Sequence, residues 1–235
     1  MRFATPLLPG LLIRRYKRFL ADVRLDDGRE VVAHCANPGA MTGLAEPGTR
    51  VWLAPNDNPA RKLRFSWMLT EQAGAHFIGV DTSLPNRLVA EALGERRIAG
   101  LPPYDKVRAE VRLGHDARVD FLLEDASGAR TWLEVKSVTL CRAPGLAEFP
   151  DTVSARAARH VGALAGAVAA GDRAVLLYVV QRTDCRAVGV AADIDPGYAR
   201  ALRGAPGVQV MAQLCAISPQ EIALSGPCPV QAVAG

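Results

Sequence analysis

The first third of the chain alternates apolar and polar residues in short runs that are separated by glycine- and proline-rich turns. A long hairpin is predicted from IRRYKRFLADVRL, the turn Asp26-Asp27-Gly28 and REVVAHC. Further short strands are predicted in TRVWLA, LRFSWMLTEQ and AHFIGVD. About five short strands within residues 1–81 are typical of a small all-β barrel such as an OB-fold, and an SH3-like barrel fits almost as well.

The pattern changes after Asp81. Helical spacing of apolar residues predicts a helix in TSLPNRLVAEALGER, with Thr82 or Ser83 as its cap. A second helix is predicted over residues 152–170, with Asp151 or Thr152 as its cap and an apolar face that begins at Val153.

Strands are predicted before and after that second helix. The run RAVLLYVVQ is continuously apolar, as in a strand that is covered on both faces. The predicted order of elements is α-β-β-β-α-β followed by α-β, which indicates an α/β domain over residues 82–224. Residues 225–235 show little periodicity and are expected to form a loose tail.

A predicted hairpin over residues 118–140 contains charged residues within segments whose other residues are mostly apolar, as in the core of a sheet. Its strands are RVDFLL and TWLEVKSVTL, and Ser127-Gly128 lies at its tip. Alternation puts Glu134 and Lys136 on one face of their strand. Asp120 belongs to the neighbouring strand, and a register that places it beside Glu134 is compatible with the sequence without being required by it.

These three charged residues have two interpretations. Glu134 and Lys136 can form a surface ion pair on a solvated sheet. Alternatively, Asp120 and Glu134 bind Mg²⁺ or Mn²⁺, and Lys136 orients a water molecule or neutralises charge that develops on phosphorus. The upstream aspartate, the order of elements and the many flanking apolar residues favour the metal site.

The same segment resembles the PD-(D/E)xK nuclease superfamily. Val119-Asp120 corresponds to the variable acidic motif, with valine in the place of the proline, and Glu134-Val135-Lys136 corresponds to (D/E)-x-K. The resemblance implies a further acidic residue in the site. Glu91 in the first helix is one candidate and Glu110 is the other.

At finer grain the chain resembles the sugar fermentation stimulation protein family of bacteria and archaea. The matching stretches span residues 15–160 and are RYKRFLADV, NPGAMTG, RVDFLL, LEVKSVTL and FPDTVSARAARH. Pro38 and Ala157 depart from the family pattern. The resemblance implies an N-terminal OB-like domain, a C-terminal nuclease-like domain, DNA binding and a regulatory role in sugar utilisation.

Basic residues lie next to aromatic ones in the predicted barrel, a pattern that suits nucleic-acid binding because cations contact phosphates and rings stack on bases. A second basic patch is predicted beside the proposed metal site. The alternative is a solvated strand face, and for His160 a buried structural role. The candidates for contacts to DNA are Arg14, Arg15, Lys17 and Arg18 around Tyr16 and Phe19, Arg61, Lys62 and Arg64 beside Phe65, and Arg156, Arg159 and His160.

Composition and charge limit the partners and the cellular compartment that are expected for the protein. The formal net charge of +4 permits an anionic partner. The five cysteines include no C-x-x-C pair, so neither a zinc cluster nor a disulfide framework is indicated. Without a secretory signal or a membrane-spanning run, the protein is expected to be cytoplasmic and not to bind membranes.

Three functions remain open on the sequence. The first is a Mg²⁺-dependent deoxyribonuclease, and the second is a DNA-binding regulator whose nuclease fold is only a scaffold. The third is an OB-fold RNA-binding module. A homodimer is compatible with each of them.

Overall fold

The computed structural model describes residues 1–73, 76–114 and 117–232. Its N-terminal part is a six-stranded sheet in the order β3-β2-β1-β4-β5-β6. A parallel pairing of β3 with β5 closes five of these strands into a barrel around the buried side chain of Trp67. The strands are β1 Leu8–Tyr16, β2 Leu20–Leu25, β3 Glu30–His34, β4 Arg50–Pro55, β5 Phe65–Gln72 and β6 His76–Gly79.

Residues 13–25, which were expected to form the first strand of one long hairpin, instead contain parts of two strands and the turn between them. Lys17 and Arg18 both have positive φ, 49° and 63°, and reverse the chain between β1 and β2. The turn at residues 26–28 then connects β2 to β3 as expected, with Gly28 at φ 89°. The expectation of a single long arm is wrong because this reversal uses two basic residues in place of glycine or proline.

The C-terminal part contains three helices and nine further strands within the described residues. They are α1 Leu84–Gly94, β7 Lys106–Leu113, β8 Ala117–Glu124, β9 Arg130–Val138, β10 Leu140–Ala143, β11 Gly145–Phe149, α2 Ala155–Ala169, β12 Arg173–Val180, β13 Cys185–Val190, α3 Pro196–Arg203, β14 Val208–Ile217 and β15 Ile222–Pro227.

Six of these strands form a mixed sheet in the order β15-β14-β12-β9-β8-β7. Strand β12 pairs in parallel with β9 and β14, and the outer pairs are antiparallel. The hairpin of β8 and β9 turns at Gly128 as predicted. The sequence did not predict the small second sheet, in which β11 lies between β10 and β13.

Alternation along β9 divides the core into two layers. Leu133 and Val135 pack with Leu88 and Val89 of α1 on one face of the sheet. Trp132 and Val138 pack in the opposite layer with the buried residues of α2 and α3. Glu134 and Lys136 alternate with Leu133 and Val135, so they point to the face that α2 covers.

The second helix begins later than the sequence suggested. Ser154 is its N-cap and its side-chain oxygen accepts a hydrogen bond from the amide of Ala157. Neither Asp151 nor Thr152 is the cap, and Val153 lies before the helix with 75% of its surface exposed. Ser83 occupies the N-cap position of α1 without a side-chain capping bond.

The C-terminal segment is more ordered than expected. Strand β15 pairs with β14 as far as Pro227. The amide of Cys228 then donates to the carbonyl of Ala212, and that of Gln231 donates to Val188. The expectation of a loose tail is therefore wrong for residues 225–231, and residues 233–235 lie outside the described part. No helix within the described residues is long and apolar enough to cross a bilayer.

Candidate active site

A local separation of β8 from β9 brings Asp120 into the sheet at the level of Glu134. The ladder pairs Phe121–Glu124 with Arg130–Leu133 and stops before Asp120. Beyond that point the side chain of Asp120 replaces the backbone as the hydrogen-bond acceptor. Its Oδ2 accepts a hydrogen bond of 2.7 Å from the amide of Val135. Its other oxygen, Oδ1, accepts one of 2.7 Å from Nδ2 of Asn86 in the first turn of α1.

A left-handed backbone conformation in the edge strand accompanies this separation. Glu110, which stands at the register position opposite Asp120, has φ 55°, while β7 keeps one register with β8 on both sides of it, from Ala109–Phe121 to Val111–Val119. Val119 and Phe121 are two residues apart in β8, yet they pack in the two opposite layers of the core. Strand β8 therefore changes faces at Asp120, and this change explains how an aspartate in a core strand reaches a polar cluster.

Glu134 is the centre of that cluster. Only 3% of its surface is exposed. Its Oε1 contacts Nζ of Lys136 at 2.5 Å and also Nδ1 of His160. Its other oxygen, Oε2, is buried without a hydrogen-bond partner among the described residues. A buried polar atom of this kind calls for an explanation, such as an ion that completes the site.

The surroundings shift the pKa values of the two carboxyl groups in opposite directions. Burial, followed by the charge of Glu134, raises the pKa of Asp120 to about 6, against the hydrogen bonds from Val135 and Asn86. Burial also opposes ionisation of Glu134, but the hydrogen bonds and charges of His160 and Lys136 outweigh it and lower the pKa. The mutual repulsion indicates that the two carboxyl groups are close neighbours.

His160 comes from α2 and is 6% exposed. Nε of Arg156, one turn earlier, lies 3.4 Å from its Nε2 and donates to it. With Nε2 accepting, Nδ1 carries the proton and donates to Glu134. His160 was predicted to contact DNA, but it is buried against Glu134 and holds that carboxylate in place.

A cleft of about 380 Å³ adjoins the cluster at the junction of the two domains. Lys136 and Ser137 line it on one side, and Asn37 and Gly39 of the barrel line it on the other. The approach of the two domains is close, because a Cβ atom on Gly39 would lie 2.4 Å from Oδ2 of Asp151. The barrel therefore forms part of the wall beside Lys136.

The barrel loop over residues 37–40 is held by Arg15. Its Nη2 donates to the carbonyl oxygens of Asn37 at 2.7 Å and Gly39 at 3.1 Å. Its other nitrogens reach the carbonyls of Ala40 and Arg18. Arg15 was predicted to contact DNA, but these four bonds direct its guanidinium into the loop.

Neither of the additional glutamates is bonded to the cluster within the described ranges. Glu91 lies 3.3 Å from the amino group of Met1. Glu110 is exposed on β7, 3.9 Å from Arg118. The residue that α1 brings to Asp120 is Asn86, which sequence reasoning missed. Its position in the first turn of the predicted helix, where a polar side chain can reach the end of a strand, was the available signal.

The remaining residues of the barrel that were predicted to contact DNA fall into two groups. Arg14 is paired with Asp22 at 2.7 Å and lies over the ring of Tyr16. The others are exposed in turns and loops: Lys17 and Arg18 between β1 and β2, and Arg61, Lys62 and Arg64 between β4 and β5. Lys17, Arg18 and Arg64 were expected on strands, and that expectation is wrong.

Strand pairing brings these exposed residues to one end of the barrel. His34 at the end of β3 pairs with Leu20, which follows the Lys17-Arg18 turn. It also pairs with Ser66, two residues after Arg64. Phe19 is 46% exposed and stacks on His34 with 6.4 Å between ring centroids. These residues form a basic surface with an exposed aromatic ring. We call it the barrel-end surface, and it consists of Lys17, Arg18, Phe19, Arg61, Lys62 and Arg64.

Barrel, mixed sheet and charged cluster together define a class of protein: an OB-type barrel joined to an α/β domain of the PD-(D/E)xK nuclease-like type. Family models agree with this assignment. The model described as the SfsA N-terminal OB domain matches residues 13–80, and the one described as the sugar fermentation stimulation protein RE domain matches residues 83–221. The chain belongs to the sugar fermentation stimulation protein family, and the expected fold is confirmed.

Relatives and a solved structure match almost the whole chain. The sugar fermentation stimulation protein homolog of Ruegeria pomeroyi is 56% identical over 227 residues, which cover 96% of this chain and 99% of that protein. The homolog of Roseobacter denitrificans is 53% identical over 98% of this chain and 100% of its own length. The structure of Pyrococcus furiosus SfsA in complex with Ca²⁺ has a TM-score of 0.87 at 26% identity, covering 99% of this chain and 98% of that one.

Proposed function

We propose that the protein is a DNA-binding nuclease whose site holds Mg²⁺, or Mn²⁺, between Asp120 and Glu134. The observation that carries the proposal is the buried Oε2 of Glu134, which has no hydrogen-bond partner in the described part of the chain. Beside it lies a second carboxylate, whose pKa burial and then the charge of Glu134 raise. Two such groups repel each other when ionised, and a cation between them removes the repulsion. Carboxylate oxygens completed by water and phosphate oxygens are the ligand set that Mg²⁺ prefers.

The donor set fits a hard divalent ion. Both candidate ligands offer oxygen, and each is fixed from behind: Asp120 by Asn86 and Val135, Glu134 by His160. Partners that orient ligands in this way raise metal affinity. The Ca²⁺ bound to the Pyrococcus furiosus relative supports the proposal, because Ca²⁺ is also bound by oxygen ligands.

In this proposal each residue has a separate task. A bound Mg²⁺ would polarise the scissile phosphate and lower the pKa of a coordinated water molecule. Lys136 carries its ammonium group on the same strand face as Glu134 and lines the cleft, where it neutralises negative charge on the phosphate. His160 and Asn86 are positioning residues, because they act through the two carboxylates.

DNA is the proposed substrate because exposed basic residues lie in both domains. Arg156 and Arg159 are exposed on α2, the helix that supplies His160. The barrel-end surface adds further cations and the exposed ring of Phe19. Cations provide the sequence-independent part of DNA affinity, and an exposed ring can stack on an unpaired base.

A DNA-binding regulator without nuclease activity is the second candidate. The word "stimulation" in the names of the relatives favours it. The buried Asp, Glu and Lys set favours the enzyme, because a scaffold has no need of two repelling carboxylates in its core. An RNA-binding role through the barrel is a third candidate, and comparing the affinities for RNA and DNA tests it.

The deciding experiment combines metal binding with cleavage. Titrating Mn²⁺ or Mg²⁺ should raise the melting temperature of the wild type, and Asp120→Asn should abolish the rise. Lys136→Ala should retain metal binding and lose cleavage of supercoiled or branched DNA. Matched controls are Asp57→Asn in an exposed loop and Lys106→Ala on exposed β7, which should behave as wild type.

Each outcome separates the candidates. Cleavage that persists in both Asp120→Asn and Lys136→Ala would assign the activity to a contaminant or to another part of the chain. Wild-type protein that binds metal and DNA, yet cuts no DNA substrate, would favour the regulator. Absence of any metal-dependent stabilisation would refute the metal site itself.

A further inference from the structure

Two thiols that are distant in sequence lie together near the junction of the two domains. Sγ of Cys141, Sγ of Cys185 and a carboxylate oxygen of Asp184 all lie within 4.8 Å of one another. Cys141 belongs to β10, which directly follows the strand that carries Glu134 and Lys136. Cys185 begins β13, just after the corner at the end of β12.

The arrangement fits a dithiol better than a metal centre. Both oxygens of Asp184 are engaged by Arg182, at 2.9 Å from Nε and 2.7 Å from Nη2. That guanidinium is buried, with 4% of the residue exposed. A cation bound to this carboxylate would compete with a buried positive charge, and the cluster offers three ligands where a structural zinc site uses four.

We propose that Cys141 and Cys185 form a redox-active pair that a peroxide oxidises to a disulfide. The thiolate of Cys141 attacks hydrogen peroxide, the O–O bond breaks, and a sulfenic acid and a hydroxide ion form; the hydroxide takes up the proton that Cys141 released and becomes water. The sulfur of Cys185 then attacks that of Cys141, the S–S bond forms, and the hydroxyl leaves as a second water molecule. Two thiols are oxidised, one peroxide is reduced, and a thiol reductant reverses the change.

Exposure assigns the order of the two steps. Cys141 is half-buried, and peroxide can reach it, whereas Cys185 is 3% exposed. Burial, then the hydrogen bond with Cys141, raises the pKa of Cys185 to about 12. Cys185 therefore does not react with the oxidant first, since the thiolate is the form that does so. It is the resolving partner, and its proton passes to the departing hydroxyl as its sulfur attacks.

The position of the pair connects oxidation to the contact between the domains. The carbonyl of Thr139, two residues before Cys141, accepts a hydrogen bond of 2.7 Å from Nη1 of Arg182. Nη2 of the same arginine reaches Oε1 of Gln72 in the barrel at 3.2 Å. A Cys141–Cys185 bond would tie the continuation of β9 to the corner that contacts the barrel, and so it should raise the melting temperature.

The test uses the full chain, reduced, freed of reductant and treated with hydrogen peroxide. Mass spectrometry of unreduced peptides should find a Cys141–Cys185 link, with the loss of two hydrogen atoms and reversal by dithiothreitol. Cys141→Ser and Cys185→Ser should each abolish the link and the upward shift of the melting temperature. Cys35→Ser, a buried cysteine of the barrel, is the matched control and should retain both.

Three results would overturn the proposal. One is oxidation of Cys141 to sulfenic or higher acids without any link. Another is a link between Cys215 and Cys228 in place of the proposed one. The third is a Co²⁺ thiolate absorption band, measured in the reduced protein, that disappears in both Cys141→Ser and Cys185→Ser, because it would identify a metal centre. None of these measurements depends on nuclease activity.

Discussion

The buried imidazole of His160 is hydrogen-bonded through Nδ1 to Oε1 of Glu134, the oxygen that also accepts from Lys136. Both donors act on the same oxygen, so Oε2 accepts no hydrogen bond from the residues that the structure describes. Arg156 fixes the tautomer from the other side of the ring by donating to Nε2. The helix that covers the sheet therefore determines which carboxylate oxygen is available to a cation.

Replacing His160 tests this arrangement. His160→Ala should weaken Mn²⁺ binding about 10- to 100-fold, the usual effect of removing a partner that orients a metal ligand. His160→Asn should restore most of the affinity, because its amide nitrogen can take the place of Nδ1. Isothermal titration calorimetry measures both. Arg159→Ala, an exposed change in the same helix, is the control and should leave the affinity unchanged, and equal affinities for all variants would contradict the positioning role.

The raised pKa of Asp120 predicts a dependence of stability on pH. Because its folded-state value of about 6 exceeds the ordinary 3.8, the metal-free folded protein holds this proton more tightly than the unfolded chain does. The contribution to stability is complete below about pH 4 and is lost as the pH rises through about 6. At pH 8 the ionised carboxylate should therefore destabilise the metal-free protein.

Asp120→Asn removes that charge. The metal-free variant should be more stable than the wild type at pH 8, by about 3 kcal/mol, and the difference should vanish near pH 4. Adding Mn²⁺ at pH 8 should reverse the order, since only the wild type binds the ion. Urea unfolding at the two pH values, with Asp57→Asn as the control, measures this. A difference that is the same at both pH values would show that ionisation of Asp120 is not its cause.

Much of the site could be predicted because its residues lie in regular elements. Alternation along β9 is enough to place Glu134 and Lys136 on one face of the strand. The arrangement that brings Asp120 to them could not be predicted, because it depends on the end of the β8–β9 ladder before Asp120 and on a change of faces in β8. A change of faces at a single residue leaves little trace in hydrophobic periodicity.

The partners of charged residues were harder to predict than their positions. Arg15 and Lys17 look alike in the sequence, but Arg15 is bonded to the carbonyls of the barrel loop and Lys17 is exposed in a turn. His160 lies on the apolar face of a predicted helix, and its partner Glu134 lies 26 residues earlier. Hydrogen bonds between distant segments depend on tertiary packing, which a single sequence does not specify.

Arg15 should stabilise the loop that forms the barrel side of the cleft. Arg15→Ala leaves the carbonyls of Asn37 and Gly39 without their donor, which should cost about 1–3 kcal/mol. Amide hydrogen exchange over residues 37–41 should become faster. Arg14→Ala removes an exposed ion pair with Asp22 and the contact with the ring of Tyr16, so it should destabilise the protein less than Arg15→Ala does and leave exchange in the loop unchanged. Unaltered amide hydrogen exchange over residues 37–41 in Arg15→Ala would contradict this stabilising role of Arg15.

The barrel-end surface should account for part of the salt dependence of DNA binding. Each phosphate contact that a lysine or arginine makes contributes about 0.9 to the slope of log affinity against log salt concentration. Lys17 and Arg18 are exposed in a turn beside Phe19, so a double change to alanine should lower the slope by up to about 1.8. Fluorescence anisotropy with labelled duplex and single-stranded DNA at several salt concentrations measures the slope.

A control variant that loses the same number of cations distinguishes the loss of phosphate contacts from a change in the net charge of the protein. Arg24 and Arg29 lie in the hairpin of β2 and β3, paired with Glu30 and Asp27, and their double change to alanine also removes two cations. That variant should retain the wild-type slope. If both double variants lower the slope equally, DNA responds to the net charge of the protein and not to this surface. A further loss of single-strand affinity in Phe19→Ala, without a change in slope, would identify base stacking, because a neutral ring displaces no counterions.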